Sequence, residues 1–184
     1  MRLKLLSPGE MSAEQKETYD EAIAGKRGAP PAPMMAWLNS PDMARHATRL
    51  GEQLRFNTIF PAKLSEIAIL VTARHWTSHY EWYAHRRAAQ TAGLSQSIID
   101  AVAAGRRPSA MAPEETAVYD FVSELLTTKQ VSDATFKAAK DRFGERGVVD
   151  LIGVSGYYQL VSMLLNVDRY PLPDGVQPEL KPLR

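Results

Sequence analysis

LSEIAILVTARHWTSHYEWYAHRRAAQTAGL, residues 64–94, decides the reading of this chain. Leu64, Ile67, Ala68 and Val71 recur at helical spacing, and Phe60-Pro61 breaks the chain just before them, so a helix is expected from about Ala62. Carried to Ala92 it would span about 31 residues, long for a globular protein. Ser78-His79-Tyr80-Glu81 has the form of a capping box, a hydroxyl followed three positions later by a carboxylate. The reading therefore breaks the helix near Thr77 and starts another at His79, which runs to Ala92 and stops at Gly93. These two helices hold three of the four histidines (His75, His79, His85), two of the three tryptophans (Trp76, Trp82) and the carboxylates Glu66 and Glu81. Ionisable groups mixed with large aromatics at helical period suit a polar pocket with apolar walls better than a plain core.

Working outward toward the N-terminus, Ser40-Pro41 is a helix start, with Met43, Ala47, Leu50 and Leu54 as the expected buried stripe. Before it, GKRGAPPAPMM (25–35) is rich in proline and glycine and reads as an ordered or wrapping loop. Met34, Met35 and Trp37 after it read as core, or as lining for a pocket or subunit contact. Ser12 and Gln15 form a capping box for a helix from Ala13 to Ala24.

Toward the C-terminus, Ser95 starts a short helix through Val102 that ends at Gly105. Pro113 opens another, with Ala117, Val118, Phe121, Val122 and Leu125 as its apolar face. Ser132 caps a helix ending at Gly144, and the apolar segment from Val148 to Leu165 reads as helix by its length. The proline-rich tail, about 170–184, is expected to be extended, with terminal disorder or a wrap onto a neighbour both open. No strand pair or hairpin dipeptide stands out, so the fold class is all-α, one helical domain over 1–184 with its core motif at about 41–104.

Composition narrows the function. The chain has no cysteine, which removes thiol catalysis, thiolate metal sites and dithiol redox chemistry. A net charge of +1 without long runs of one sign gives no surface for nucleic acid. The opening MRLKLLSPGEMSAEQ lacks the apolar core of a secretory signal, and no stretch approaches the ~20 apolar residues of a membrane span. The expectation is a soluble, cytoplasmic protein.

On a helix starting near Ser78, residues Ser78, Glu81, Trp82 and His85 share a side. Glu81 and His85 are an i, i+4 pair, in which a carboxylate favours the charged ring and a proton can be delivered near neutral pH. The same pair also reads as an ordinary surface contact with Glu81 closing a capping box. Glu66 can approach it if the two helices fold together. His75 and His79 with Glu81 offer a mixed metal site, but a break at Thr77 takes the two histidines off one face, and the site is read as metal-free. Arg86-Arg87 can hold an anion or be solvated; Tyr158 can turn a hydroxyl into a cavity or be a buried core tyrosine.

These residues carry a resemblance. Leu64-Ser-Glu66-Ile-Ala-Ile-Leu, then Ser78-His79-Tyr80-Glu81-Trp82-Tyr-Ala-His85, closing with Ala-Gly93-Leu-Ser, is similar to the core of the carboxymuconolactone decarboxylase family, which includes the alkylhydroperoxidase D-like proteins. SPDMARHATRLGEQLRF resembles its preceding helix, so the likeness covers roughly 41–102. In the peroxidase branch a Cys-x-x-Cys pair falls on Ser78 and Glu81, and both thiols are absent, so peroxidase activity does not carry over. The resemblance to the decarboxylase branch implies an all-helical trimer or hexamer and cofactor-free decarboxylation of a small carboxylated lactone from aromatic catabolism. On that reading His85 is the acid, Glu81 orients it, and Glu66 supports or relays. Trp82, Ser78, His79, Tyr158 and an arginine, Arg74 or Arg86, hold the substrate. A non-catalytic helical oligomer that binds a small acidic or aromatic metabolite is the alternative.

Overall fold

Thr77 has a positive φ of 47°, and the chain turns there. Ser78 N–H donates to Ala73 O (2.9 Å) and Thr77 N–H to Arg74 O (3.0 Å), the bond pair that closes a helix through a left-handed residue. The computed structural model describes residues 1–26 and 28–182; Arg27 of the proline loop and Leu183 and Arg184 of the tail lie outside the described residues. After a short 3-10 turn at Pro8–Glu10 come α1 (Ala13–Ala24), α2 (Ala32–Trp37), α3 (Pro41–Phe56), α4 (Ala62–His75), α5 (His79–Thr91), α6 (Gln96–Ala103), α7 (Pro113–Thr128) and α8 (Asp133–Asp168). No strand occurs among the described residues. The all-α expectation holds, as does the break at Thr77.

The buried helix α4 organises the packing: Glu66 through Arg74 are all buried, and α5, α7 and α8 pack around it. α8 is continuous apart from Gly144, whose φ of 68° and ψ of −177° interrupt it where a helix end was expected, leaving helical runs over 133–143 and 145–168. By length and composition α8 could cross a membrane, contrary to the expectation that no stretch approaches that length; half of its apolar window is buried in the protein core.

Three local expectations change. The segment read as a loop contains α2, with Pro33 in its first turn, where a missing N–H costs nothing, and with Met34 and Trp37 buried. The buried face of α3 is Ala44, Ala47, Gly51 and Leu54, while Met43 and Leu50 are exposed. Close approach decides this: a Cβ on Gly51 would lie 2.2 Å from the Tyr157 hydroxyl of α8, so the small-residue face turns inward. On α7, Leu126 is fully buried and Leu125 only partly. The tail packs on its own chain, with Leu180 in the core at 4% exposure.

Candidate active site

α4 and α5 run side by side from the turn at Thr77, which brings Glu66 of one against His85 of the other. His85 Nδ1 lies 2.7 Å from Glu66 Oε2, and His85 Nε2 lies 2.9 Å from Glu81 Oε1 one helical turn back. The second oxygen of Glu66, Oε1, accepts from Arg55 Nη1 at 3.0 Å. Tyr158 of α8 meets the imidazole edge-on, ring centroids 4.9 Å apart, and Tyr157 stands against Tyr158 at 5.3 Å. Ser78 makes no side-chain cap bond, so the expected capping box is absent and Glu81 is committed to His85 instead.

The set is buried: the side chains of Glu66, Glu81 and His85 are 3%, 5% and 12% exposed. Burial alone drives the imidazole toward neutrality, but the Glu81 and Glu66 carboxylates outweigh it and raise the His85 pKa to about 9. Burial likewise pushes the Glu66 carboxyl up, and His85 and Arg55 together reverse this and hold it below its ordinary value. Burial works against the Arg55 guanidinium, and Tyr158 and Glu66 more than restore its charge. With His85 protonated the four groups carry two negative and two positive charges, so the cluster is neutral. Losing that proton would leave an unbalanced buried carboxylate, which is why His85 rests as an acid at neutral pH.

Glu81, His85 and Tyr158 line a cavity of about 150 Å³ that is also bordered by Pro31, just before α2, and by Pro33 in its first turn. Larger clefts lie elsewhere, about 730 Å³ between α7 and α8 and about 410 Å³ between α1 and α3. Neither joins a histidine to a carboxylate.

Of the residues singled out in the sequence, Glu66, Glu81, His85 and Tyr158 come together. Trp82, Arg74 and Arg86 do not join them. Trp82 Nε1 donates to Glu179 Oε2 (3.1 Å), Arg86 Nη1 to Glu179 Oε1 (2.8 Å) and Arg74 Nη2 to Lys181 O (2.6 Å), so all three hold the tail. Ser78 and His79 border a different cavity. No group of three or more His, Cys, Asp or Glu arranged to hold a metal occurs among the described residues, and the turn at Thr77 parts His75 from His79. Arg55 is the member that sequence reasoning missed: it sits next to the buried Leu54 on an otherwise ordinary amphipathic helix, and no spacing pattern ties it to Glu66.

At the level of sequence, no family model and no curated protein matches this chain. At the level of structure it is similar to the alkylhydroperoxidase AhpD core of Ralstonia eutropha JMP134, described as an uncharacterised peroxidase-related protein. The TM-score is 0.76 at 17% identity, over 94% of this chain and 92% of that one. The chain therefore has the alkylhydroperoxidase D-like fold, the all-helical fold that its resemblance to the carboxymuconolactone decarboxylase family implied.

Proposed function

We propose that this chain belongs to the carboxymuconolactone decarboxylase superfamily and catalyses cofactor-free proton transfer, with decarboxylation of a small carboxylated lactone from aromatic catabolism as its reaction. The observation that carries the reading is the imidazole of His85 held between the carboxylates of Glu66 and Glu81 at the wall of a cavity. When the carbon–carbon bond to the leaving carboxylate breaks, its electron pair enters the conjugated lactone as a dienolate and CO2 departs. The dienolate then takes a proton on carbon. His85 is its source: the Nε2 proton passes to Glu81, which lines the same cavity, and from that carboxyl to the dienolate carbon. Glu66 and Arg55 hold the ring from behind, and solvent restores the proton.

Tyr158 is assigned to substrate contact, since it lines the cavity edge-on to His85. The peroxidase chemistry named for the structural neighbour needs thiols that this sequence lacks. The same reading takes the enzyme as a cytoplasmic trimer or hexamer, with Val149, Ile152 and Val167, all at least half exposed on α8, as apolar residues available to a subunit contact.

The test is consumption of 4-carboxymuconolactone by purified protein, followed by lactone absorbance and CO2 release. His85→Ala should abolish turnover while circular dichroism stays native. Full turnover in that variant, or a ligand that stabilises the protein and emerges unchanged, would overturn the reading; the latter outcome supports a binding protein.

A further inference from the structure

A second cavity, of about 300 Å³, opens where the N-terminus of α5 meets the C-terminal end of α8. Tyr80 borders both this cavity and the one at His85. Its polar lining is Ser78, His79, Asn166 and Arg169, with no carboxylate among the described lining residues. Arg169 is exposed and has no ion pair among the described residues. The neighbouring Asp168 is fully buried, and its Oδ1 is taken by the Arg2 and Leu3 amides at 2.7 and 2.6 Å.

Several polar groups here lack partners. Ser78 is 0% exposed and its Oγ has no hydrogen bond, although it stands at the N-cap of α5, where a serine hydroxyl ordinarily accepts an amide proton. The buried Nδ1 of His79 is unpaired as well. The amides of His79, Tyr80 and Glu81 in the first turn find no acceptor among the described residues, so the positive end of the α5 dipole is open. Unsatisfied buried polar atoms are rare in native proteins, and several at one cavity point to a missing polar ligand, which the open α5 amides require to be an acceptor.

The apolar part of the wall is equally defined. Tyr80 and Tyr170 meet edge to face at 4.6 Å, and Leu165 lies beside them. Burial, then Tyr170 and Glu81, raise the Tyr80 phenol, and burial and Asp168 raise that of Tyr170, so both stay protonated and able to donate.

We propose that this cavity binds a small organic acid, its carboxylate held by the α5 amides, Ser78 Oγ and the Arg169 guanidinium and its apolar body lying against Tyr80, Tyr170 and Leu165. Helix amides, a hydroxyl and a guanidinium together fit a planar oxyanion. The aromatic wall selects an organic acid over an inorganic one. The site rests on its own residues, not on the reading of the His85 cavity.

Calorimetric titration of the full chain with benzoate tests it. Saturable binding is expected in the native protein, weakened about tenfold or more by Arg169→Gln or Ser78→Ala and retained by His85→Gln; benzamide, which has the same ring without the charge, should not bind. Arg169 is exposed and Ser78 Oγ has no protein partner, so circular dichroism of both variants should stay native. Absence of saturable benzoate binding would overturn the proposal. So would unchanged affinity in Arg169→Gln, or loss in His85→Gln alone, which moves the ligand to the other cavity. Inorganic phosphate binding more tightly than benzoate would refute the organic-acid class.

Discussion

Glu66 and His85, 19 residues apart in sequence, meet at 2.7 Å between Glu66 Oε2 and His85 Nδ1, with the carboxylate buried and the ring reaching the wall of a cavity. The contact fixes the ring's orientation and one of its two N–H directions, leaving the other nitrogen to Glu81 at the cavity wall. A histidine with a carboxylate on each nitrogen is a proton store more than a base, and its charge state should be the most sensitive property of the site.

Glu66→Gln should lower the His85 pKa from about 9 toward the ordinary 6.5, because it removes one of the two charges that hold the proton. A proton NMR titration of the imidazole would measure this. A value unchanged from the native protein would show that Glu66 is not ionised beside it.

Stability should fall between pH 6.5 and about 9, the interval between the ordinary and the raised His85 values. A group whose pKa is raised by folding contributes fully below its unfolded value and loses that contribution as pH climbs through the folded one. The loss is roughly 3 kcal/mol at most. Glu66, lowered by folding, works in the opposite sense: its contribution is present above 4.5 and lost as pH falls through its folded value. Urea melts across pH should therefore show a maximum between these limits, and His85→Gln should flatten the alkaline side.

Arg55→Ala should destabilise the fold by about 3 kcal/mol, because it leaves the buried Glu66 without its cation. Arg55→Lys should recover part of this, since a lysine restores the charge but not the planar donor fork. Chemical denaturation of both variants gives the comparison. The partial exposure of Arg55, 28% of its side chain, keeps the cost from being larger.

Leu180→Ala should cost about 2–3 kcal/mol through the cavity it leaves in the core. Truncation after Pro173 should add a second signature: Trp82, now 1% exposed with its indole on Glu179, would meet water, and its fluorescence would shift to the red. Unchanged emission after truncation would mean that the tail does not shield the ring.

Gly51→Ala should destabilise by about 1–3 kcal/mol, the usual cost of overpacking. The added Cβ would fall 2.2 Å from the Tyr157 hydroxyl and displace a residue that lines the His85 cavity. Thermal melts measure the first effect, and turnover the second.

Much of this arrangement was legible in the sequence because it is local. The helix periods, the prolines at helix starts and the break near Thr77 all depend on neighbours within a few positions, and α1, α3, α4 and α5 begin where those signals place them. Glu81 and His85 were readable as one turn of one helix. What was not legible depended on tertiary packing. Met43 and Leu50 look like core by hydrophobicity, yet α3 turns Ala44, Ala47 and Gly51 inward because α8 comes too close for larger residues. Arg74 and Arg86 look like anion holders, and their partners lie about a hundred positions away in the tail, a distance at which no spacing rule operates. Arg55 was hidden for the same reason.

The left-handed turn at Thr77 has a consequence for how the site comes into being. It folds α4 and α5 into a helical hairpin, so the loop closed by the Glu66–His85 contact is short and mostly helix already. The entropic cost of closing such a loop is small, and contacts of this range form early compared with those between distant segments. Glu66, Glu81 and His85 thus lie within a single stretch of contiguous chain, on two consecutive helices. Arg55 and Tyr158, arriving from α3 and α8, are the parts that the rest of the protein must deliver to it.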